Sequence, residues 1–325
     1  MNVLLTSVGR RVKLVRCLKE SLAGKGKVVA VDCDWTAPAL YAADAHQIVS
    51  RIEEPDYIDV LLQICLHYQI DAVLSLIDPE LSFLAQHVES FRDAGVEVIV
   101  SSPEVVGLCL DKKATSDFLQ QHDFPFIPTY VTAEEVSEAF SIGELSFPVL
   151  VKPRNGSASQ GISVVDTIAE LNQLLGKEHD SLIVQPYLQA DEYGVDAYVD
   201  LLTGEPVSIF TKKKLRMRAG ETDRSLAIQD AALTGLVYRL LKTLQPRGPI
   251  DIDCFKVGDT YVISEINPRF GGGYPHAYLC GEDYFSCLAT NLEGRPNVPR
   301  IGTYEAGSTM LKYDEVMLIK AMPGQ

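Results

Sequence analysis

The 325-residue sequence lacks the features that mark several classes of protein. No apolar run approaches the ~18 residues that a membrane span needs, and the apolar stretch after Met1 is too short for a signal peptide. Acidic residues outnumber basic ones, 44 to 29, so a phosphate backbone would be repelled. The seven cysteines form no CxxC pair, which argues against a zinc ribbon or a disulfide framework. We therefore expect a cytoplasmic protein that binds neither nucleic acid nor membrane.

The first hundred residues alternate short apolar runs with helical patterns. The runs have the uninterrupted character of fully buried parallel strands, and they cover residues 3–5, 28–31, 72–76 and 96–100. Helical periodicity is visible at residues 58–66 and 81–91. This rhythm predicts a parallel α/β unit whose ligand crevice lies at the carboxyl ends of the strands. The loops expected there supply four candidate substrate contacts: Arg10, Asp34, Asp78 and Glu80.

The first of these loops, TSVGRR, contains a single glycine. A nicotinamide-dinucleotide site needs the closely spaced glycines of GxGxxG, so this loop does not favour one. Two interpretations of Arg10 stay open: it would hold a substrate carboxylate, or it would be solvated on the first helical turn.

The second half of the chain has a different pattern, which predicts an α+β unit with antiparallel strands. The strand FPVLVKP ends in Lys152 and is followed by RNGSASQGIS, a loop of small residues. Such a loop lets backbone N–H groups approach phosphate oxygens, although glycine–serine loops are also common in plain hairpins. Residues 215–224 are charged and without periodicity, which predicts a further loop.

The segment IDIDCFKVGDTYVISEINPRFGGG predicts a hairpin that turns at Gly258. Asp253, Glu265 and Asn267 then fall on one face, and these oxygen ligands suit Mg²⁺, which binds few protein groups together with substrate phosphates. Arg269 adds a cation beside them. The alternative is a solvated hairpin with a carboxylate–arginine pair, which explains poorly why the polar groups flank apolar core positions.

The motifs EINPR at 265–269 and VLVKP at 149–153 resemble those of the ATP-grasp superfamily, in particular the carbamoyl-phosphate synthase large chain. The pair Asp111-Lys112 and the strand GVDAY at 194–198 support the resemblance. It implies a parallel α/β pre-ATP-grasp domain at 1–108 and a two-part ATP-grasp domain. The N-terminal subdomain of the latter would span 109–188, and the C-terminal subdomain with the metal site 189–325.

The resemblance also implies a role for individual residues. The groups contacting or covering the ATP phosphates would be Lys112, Lys152, Asn155, Gly156, Ser157 and Gly161. The hinge contacting adenine would comprise Gln185, Pro186, Tyr187 and Leu188, and the ribose contact would be Glu192. One or two Mg²⁺ ions, replaceable by Mn²⁺, would bind Asp253, Glu265 and Asn267. The catalytic cations would be Lys152, Arg269 and, by a looser alignment of MRAGETDRS, Arg218.

The sequence departs from the family pattern at three points. Gln185 stands where many relatives have glutamate, and Asp253 stands where the synthase has glutamine. The chain has one nucleotide clamp where the synthase large chain has two, which does not favour synthesis of carbamoyl phosphate by this chain alone.

Three functions follow as hypotheses. The first is an ATP-dependent carboxylate–amine ligase that forms an acyl phosphate from small-molecule substrates and releases ADP and phosphate. The second is a carbamoyl-phosphate synthase-type enzyme or subunit that phosphorylates bicarbonate. The third is a nucleotide-binding subunit without turnover. A homodimer is a further expectation.

Overall fold

The N-terminal sheet forms from segments that are apolar enough to be buried on both faces. The computed structural model describes residues 1–156, 161–176 and 181–319. Five parallel strands lie in the order β3-β2-β1-β4-β5. They are β1 (Val3–Thr6), β2 (Val28–Asp32), β3 (Ala45–Ile48), β4 (Ala72–Ser75) and β5 (Glu97–Val98). The connecting helices are α1 (Val12–Leu22), a 3₁₀ helix (Pro38–Ala42), α2 (Tyr57–Tyr68), α3 (Asp78–Gln86) and α4 (Val88–Asp93).

Two consecutive helices lead into a small antiparallel sheet. They are α5 (Pro103–Leu110) and α6 (Lys112–Gln121), and the Asp111 side chain caps the second by accepting from the N–H groups of Lys113 and Ala114. The sheet has the order β7-β6-β8 and comprises β6 (Val149–Pro153), β7 (Ser163–Val165) and β8 (Leu182–Pro186). Its apolar face packs against α7 (Ala133–Ser141) and α8 (Ile168–Leu175).

The largest sheet is antiparallel and has the order β13-β12-β9-β10-β11-β14. Its strands are β9 (Asp191–Val199), β10 (Pro206–Arg218), β11 (Glu221–Ile228), β12 (Gly248–Val257), β13 (Thr260–Asn267) and β14 (Thr309–Leu311). Helix α9 (Ala231–Leu244) buries its leucine face on one side, while α10 (Pro275–Leu279) and α11 (Tyr284–Leu292) complete the chain's helices in the described part.

One hydrophobic core joins the N-terminal sheet to the large sheet. Leu5 of β1 and Leu18 of α1 belong to the same buried cluster as Tyr198, Phe270 and Tyr274. The segment that follows β13 is therefore packed against the first strand and its helix. Arg11, which follows β1, contacts the Phe270 carbonyl, and Asp78, which follows β4, contacts Arg269, so the carboxyl ends of both strands lie beside the segment after β13.

The structure confirms the predicted fold class, a parallel sheet followed by antiparallel ones. The predicted helix at 81–91 is divided between α3 and α4, and β3 was not predicted because its residues are only half-buried and carry no apolar run. The loop predicted at 215–224 is wrong, since β10 and β11 pair through most of it. Helix α5 crosses the proposed boundary at residue 108, and the three-part division stays a prediction. Among the described residues, no helix is long and apolar enough to cross a bilayer.

Candidate functional site

The hairpin of β12 and β13 brings the predicted metal ligands together. Asp253 is the register partner of Glu265, and Asp251 is the partner of Asn267, one pleat repeat along. Partners in an antiparallel pair project to the same face of the sheet. The expectation that Asp253, Glu265 and Asn267 share a face is therefore met by the backbone.

Glu265 is a carboxylate that makes no direct ion pair in the described part of the chain. Burial raises the pKa of Glu265, the charge of Asp253 acts in the same direction, and Lys112 and Lys152 oppose the rise. Within residues 1–156, 161–176 and 181–319, no hydrogen bond or ion pair is made by its side chain. A buried carboxylate in this state is suited to accept a cation, and oxygen ligands of this kind fit Mg²⁺.

Asp253 differs from Glu265 because a lysine already neutralises it. Lys214 Nζ lies 2.6 Å from Asp253 Oδ1 and donates to Glu192 Oε1 at 2.7 Å. Burial opposes the charge of Lys214, but the two carboxylates outweigh it, and the pKa of Lys214 is raised. The lysine thus links the predicted ribose contact to a predicted metal ligand. Lys214 therefore offsets the negative charge that Asp253 adds to the site.

The candidate metal site has few protein ligands. In the described part of the chain, no group of three or more histidine, cysteine, aspartate or glutamate side chains could hold a metal ion. The candidate ligands are therefore the two carboxylates of Asp253 and Glu265 and the amide of Asn267. Mg²⁺ at phosphate-transfer sites is typically held by one or two carboxylates together with phosphates and water. The donor set fits Mg²⁺ shared with a nucleotide.

Lys152 and Lys112 approach this site from the small sheet. Lys152 lies on β6, and the bidentate pair of Arg154 with Asp111, at 2.6–2.9 Å, ties the end of that strand to the start of α6. Lys112, the first residue of that helix, donates to the carbonyl of Gly156 at 2.7 Å. The charge of Lys152 acts on both Glu265 and Lys112, so the two lysines and the carboxylate lie in one electrostatic neighbourhood.

The remaining predicted nucleotide contacts occupy β8 and the loop after β6. Gln185 is buried, and its Nε2 donates to the Thr129 hydroxyl at 2.8 Å. The amide nitrogen of Gln185 is therefore engaged in a hydrogen bond within the protein interior. Its neighbours continue into a less buried segment formed by Pro186, Tyr187 and Leu188. Asn155 and Gly156 are exposed, and Gly161 has a φ of +68°. Ser157 lies outside the described residues. These contacts stay predictions.

Arg269 joins the hairpin to the N-terminal sheet. Its Nη2 donates to Asp78 Oδ2 at 2.6 Å, and its Nη1 lies 3.8 Å from Asp251 Oδ2. Burial opposes the charge, but these two carboxylates outweigh it and raise the pKa of Arg269. Its Nε is buried and has no hydrogen-bond partner among the described residues. An acceptor oxygen on a substrate would satisfy this donor.

A second buried network, which the sequence did not reveal, lies behind Arg269. Lys212 and Asp196 form an ion pair in which both side chains are 1% exposed. Burial raises the pKa of Asp251, the charge of Asp253 adds to the effect, and Lys212 opposes it. A Cβ on Gly271 would lie 2.4 Å from the Asp251 carboxylate, and one on Gly273 would lie 2.8 Å from Lys212 Nζ. The triple glycine lets the backbone pass directly over these charged groups.

The structure does not bring every predicted residue to this centre. Glu80 is fully buried and accepts from the hydroxyl groups of Ser7, Tyr57 and Ser75, at 2.6–2.7 Å. Asp34 caps its own loop by accepting from the hydroxyl and the backbone N–H of Thr36, and these two bonds lower the pKa of Asp34.

The two predicted arginines outside this centre contact carboxylates. Arg218 is half exposed and pairs with Asp223 and Asp314. Arg10, which follows β1, lies 3.6 Å from Glu221, and Glu221 belongs to the same β10–β11 hairpin as Arg218.

Lys152 provides a prediction that depends on pH. Burial lowers the pKa of Lys152 to about 8, and Lys112 adds to the effect against the opposing Glu265. Nucleotide phosphates favour the charged lysine, so binding raises this pKa. We expect the protein to take up about half a proton per ATP at pH 8, and the affinity to fall as the pH rises above 8.

The matching variant is Lys152→Met, which keeps the aliphatic stem and removes the charge. We expect it to fold normally, to bind ATP at least ~10-fold more weakly and to show no proton uptake. Calorimetry in two buffers of different ionisation enthalpy measures both quantities. Unchanged affinity and unchanged proton uptake would show that Lys152 does not contact the nucleotide.

Comparison with known proteins places this geometry in a family. Residues 109–273 match the ATP-grasp domain, and residues 3–99 match the PylC-like N-terminal domain. The carbamoyl phosphate synthase large chain of Agathobacter rectalis is 24% identical over 212 residues, which cover 58% of this chain and 19% of that protein. A D-alanine–D-alanine ligase from Marinomonas sp. is 30% identical over 147 residues, which cover 41% of this chain and 46% of the ligase. This chain thus spans less than half of either relative.

A solved structure shows the same fold. The biotin carboxylase domain dimer of the Hydrogenobacter thermophilus 2-oxoglutarate carboxylase, in complex with MgADP, ADP and bicarbonate, superposes with a TM-score of 0.73. The match has 15% identity and covers 94% of this chain and 73% of that one. The ATP-grasp match takes in half of the sequence and contains both motifs on which the resemblance was based. The chain belongs to the ATP-grasp family.

Proposed function

We propose that the protein is an ATP-dependent carboxylate–amine ligase that forms an acyl phosphate and releases ADP and phosphate. One observation carries the proposal: the charges of Lys112, Lys152 and Asp78, the partner of Arg269, all act on Glu265. Groups suited to phosphates, to a metal ion and to a substrate anion therefore adjoin a single carboxylate.

Each group has a task in this reaction. Lys112 and Lys152 hold the phosphates, and Glu265 and Asn267, with Asp253 beside them, would hold Mg²⁺. When bound, Mg²⁺ neutralises charge on the phosphate oxygens during transfer. Arg269 is held by Asp78, and its Nε–H, which has no partner among the described residues, would donate to an anionic oxygen. Catalysis then rests on positioning and charge stabilisation rather than on a protein nucleophile.

The proposed reaction consists of a phosphoryl transfer followed by an acyl transfer, and neither step needs an oxidant or a reductant. A carboxylate oxygen of the substrate attacks the γ-phosphorus, the bond to the bridging β–γ oxygen breaks, and ADP leaves. The amine then attacks the acyl carbon, loses a proton, and displaces inorganic phosphate to leave an amide. His276 is an unsuitable base because it is buried between Ser225 and Ser308, and burial lowers its pKa to about 4.

The bicarbonate-phosphorylating reaction uses the same phosphoryl-transfer groups, so the acceptor decides between the two hypotheses. The third hypothesis, a subunit without turnover, is disfavoured because the lysines, the metal ligands and Arg269 are all present. A screen for ADP release separates the three. It should include small carboxylic acids and amino acids as well as bicarbonate with ammonia.

We expect ADP release that requires an organic acid, and hydroxylamine should trap the acyl phosphate as a hydroxamate. ADP release with bicarbonate and ammonia alone would establish the second hypothesis. Nucleotide binding without ADP release under any of these conditions would contradict the ligase.

A further inference from the structure

We propose that Arg10, Arg11 and Lys312, here called the cation cluster, bind a second anionic group of the acid substrate. The inference rests on the proposed function and narrows its substrate class. The acid would carry a carboxylate or phosphate group in addition to the carboxylate that is phosphorylated. Bicarbonate has no such group.

Three chain segments build the cation cluster around one carboxylate. Arg10 and Arg11 follow β1, Glu221 begins β11, and Lys312 follows β14. The Glu221 oxygens lie 3.6 Å from Arg10 Nη2, 3.5 Å from Arg11 Nε and 3.1 Å from Lys312 Nζ. Three cations thus contact the single carboxylate of Glu221.

Glu221 leaves much of the donor capacity of the two arginines unused. Its distances to both exceed the 2.7–3.2 Å of an ordinary N–H···O hydrogen bond. Arg11 donates through Nη1 to the Phe270 carbonyl, and Arg10 through Nη2 to the Ala219 carbonyl. Each guanidinium has five N–H donors, so others remain for an anionic ligand.

The charge balance around the cluster also calls for an anion. Burial lowers the pKa of Arg11, and the nearby charge of Arg269 adds to the effect, while the charges of Glu221, Asp78 and Asp251 oppose it without cancelling it. Burial likewise lowers the pKa of Lys312, against the pull of Glu221 and with repulsion from Arg10 and Arg11. Both cations are therefore compensated incompletely by Glu221. An anionic group would relieve the repulsion, and Arg10, which is half exposed, leaves the cluster accessible from solvent.

The cluster adjoins the place where the reacting carboxylate would bind. Arg11 contacts the carbonyl of Phe270, the residue after Arg269. A Cβ on Gly272 would lie 2.6 Å from the carboxyl carbon of Glu221, so this segment packs directly on the cluster. Arg269 is 8% exposed, and its Nε has no hydrogen-bond partner in the described part of the chain. One acid can thus place its reacting carboxylate at Arg269 and its second group at the cluster.

The test measures anion binding without nucleotide, at constant ionic strength. Calorimetry with succinate, inorganic phosphate and acetate is applied to the parent and to Lys312→Met, Glu221→Gln, Lys152→Met and Lys242→Met. Lys242 is a matched control, since it pairs with Glu205 on the exposed surface.

We expect succinate or phosphate to bind the parent more tightly than acetate, and the tighter of the two identifies the second group. Lys312→Met should weaken this binding ~10-fold, and Glu221→Gln should strengthen it because a competing carboxylate is removed. Lys242→Met should bind as the parent does. Loss of the binding in Lys152→Met but not in Lys312→Met would place the anion at the site of the nucleotide phosphates and contradict the inference.

Equal anion affinity in the parent, Lys312→Met and Glu221→Gln would overturn the inference and show a purely structural ion network. If Lys312→Met does not fold, the Glu221→Gln arm decides alone. ADP release with acetate at the same kcat/KM as with succinate would also contradict the inference while leaving the ligase standing. Failure of ADP release with every acid would remove the proposed function but not the binding result.

Discussion

Replacing Glu265 by glutamine is expected to reduce kcat for ATP turnover by about 100- to 1,000-fold, the range for losing one group that stabilises charge in a transition state. The variant keeps the size of the side chain and removes only its negative charge. Because the Glu265 side chain makes no hydrogen bond or ion pair in the described part of the chain, the change breaks no direct contact, and we expect the variant to fold. Weak ATP binding should persist through Lys112 and Lys152.

The control for this variant is Asp259→Asn, which removes an exposed carboxylate at the turn of the same hairpin. It should bind and turn over ATP as the parent does. Steady-state ADP release at several Mg²⁺ concentrations measures the difference. Turnover by Glu265→Gln at the parent rate and with the parent Mg²⁺ dependence would show that Glu265 is not a metal ligand.

Replacing Arg269 by methionine is expected to affect both stability and activity. The change leaves Asp78 buried without its counterion and removes one of the cations that act on Asp251. Breaking a buried pair from one side costs about 3–5 kcal/mol, so the midpoint of urea unfolding should fall by the corresponding amount. ADP release should fall at least ~100-fold, because the donor to the substrate anion is gone.

Two further variants separate these effects. Arg16→Met breaks an exposed pair with Glu315 and should cost about 0–1 kcal/mol. The double variant Asp78→Asn, Arg269→Met removes one stranded charge, so it should regain stability without regaining turnover. A double variant as unstable as the single one would contradict the buried-pair account, and parental turnover in either would contradict the role of Arg269 in the reaction.

The elements that could be predicted from the sequence are those whose burial shows in local pattern. Residues 28–31 are apolar at every position because β2 is covered on both faces. The β12–β13 hairpin was predictable because Gly258-Asp259 supplies the turn and alternation places Asp253 and Glu265 together. Both motifs of the family resemblance lie on such strands.

The strands at 215–224 could not be predicted because their environment conceals the pattern. Leu215 and Met217 are exposed, and the pairing of β10 with β11 is interrupted by register shifts next to Arg216. A strand that is solvated on both faces has no period-2 signal to detect. Its charged residues were therefore interpreted as a loop.

The buried lysines were missed for a related reason. Lys212, Lys213 and Lys214 are consecutive, and a run of three lysines is ordinarily a solvated face. In the structure Lys212 and Lys214 project to the buried side, where they meet Asp196 and Asp253 on neighbouring strands. Gly194 of β9 leaves room for both stems, since a Cβ there would lie 3.0–3.1 Å from each.

The partners of loop carboxylates were also beyond prediction. Asp34, Asp78 and Glu80 all follow strands of the first sheet, and the sequence placed them together as substrate contacts. The structure gives each a different environment: a local cap, an ion pair with Arg269 and three buried hydroxyl donors. These differences depend on long-range contacts that a strand-end position does not reveal.

The most direct test of the ligase proposal follows the oxygen of the substrate acid. The acid identified by the ADP-release screen is labelled with ¹⁸O in its carboxylate and incubated with ATP and amine. If an acyl phosphate forms, one ¹⁸O atom passes to inorganic phosphate, and the nucleotide product is unlabelled ADP. Release of pyrophosphate with ¹⁸O in AMP would instead show an adenylate and contradict the proposed reaction.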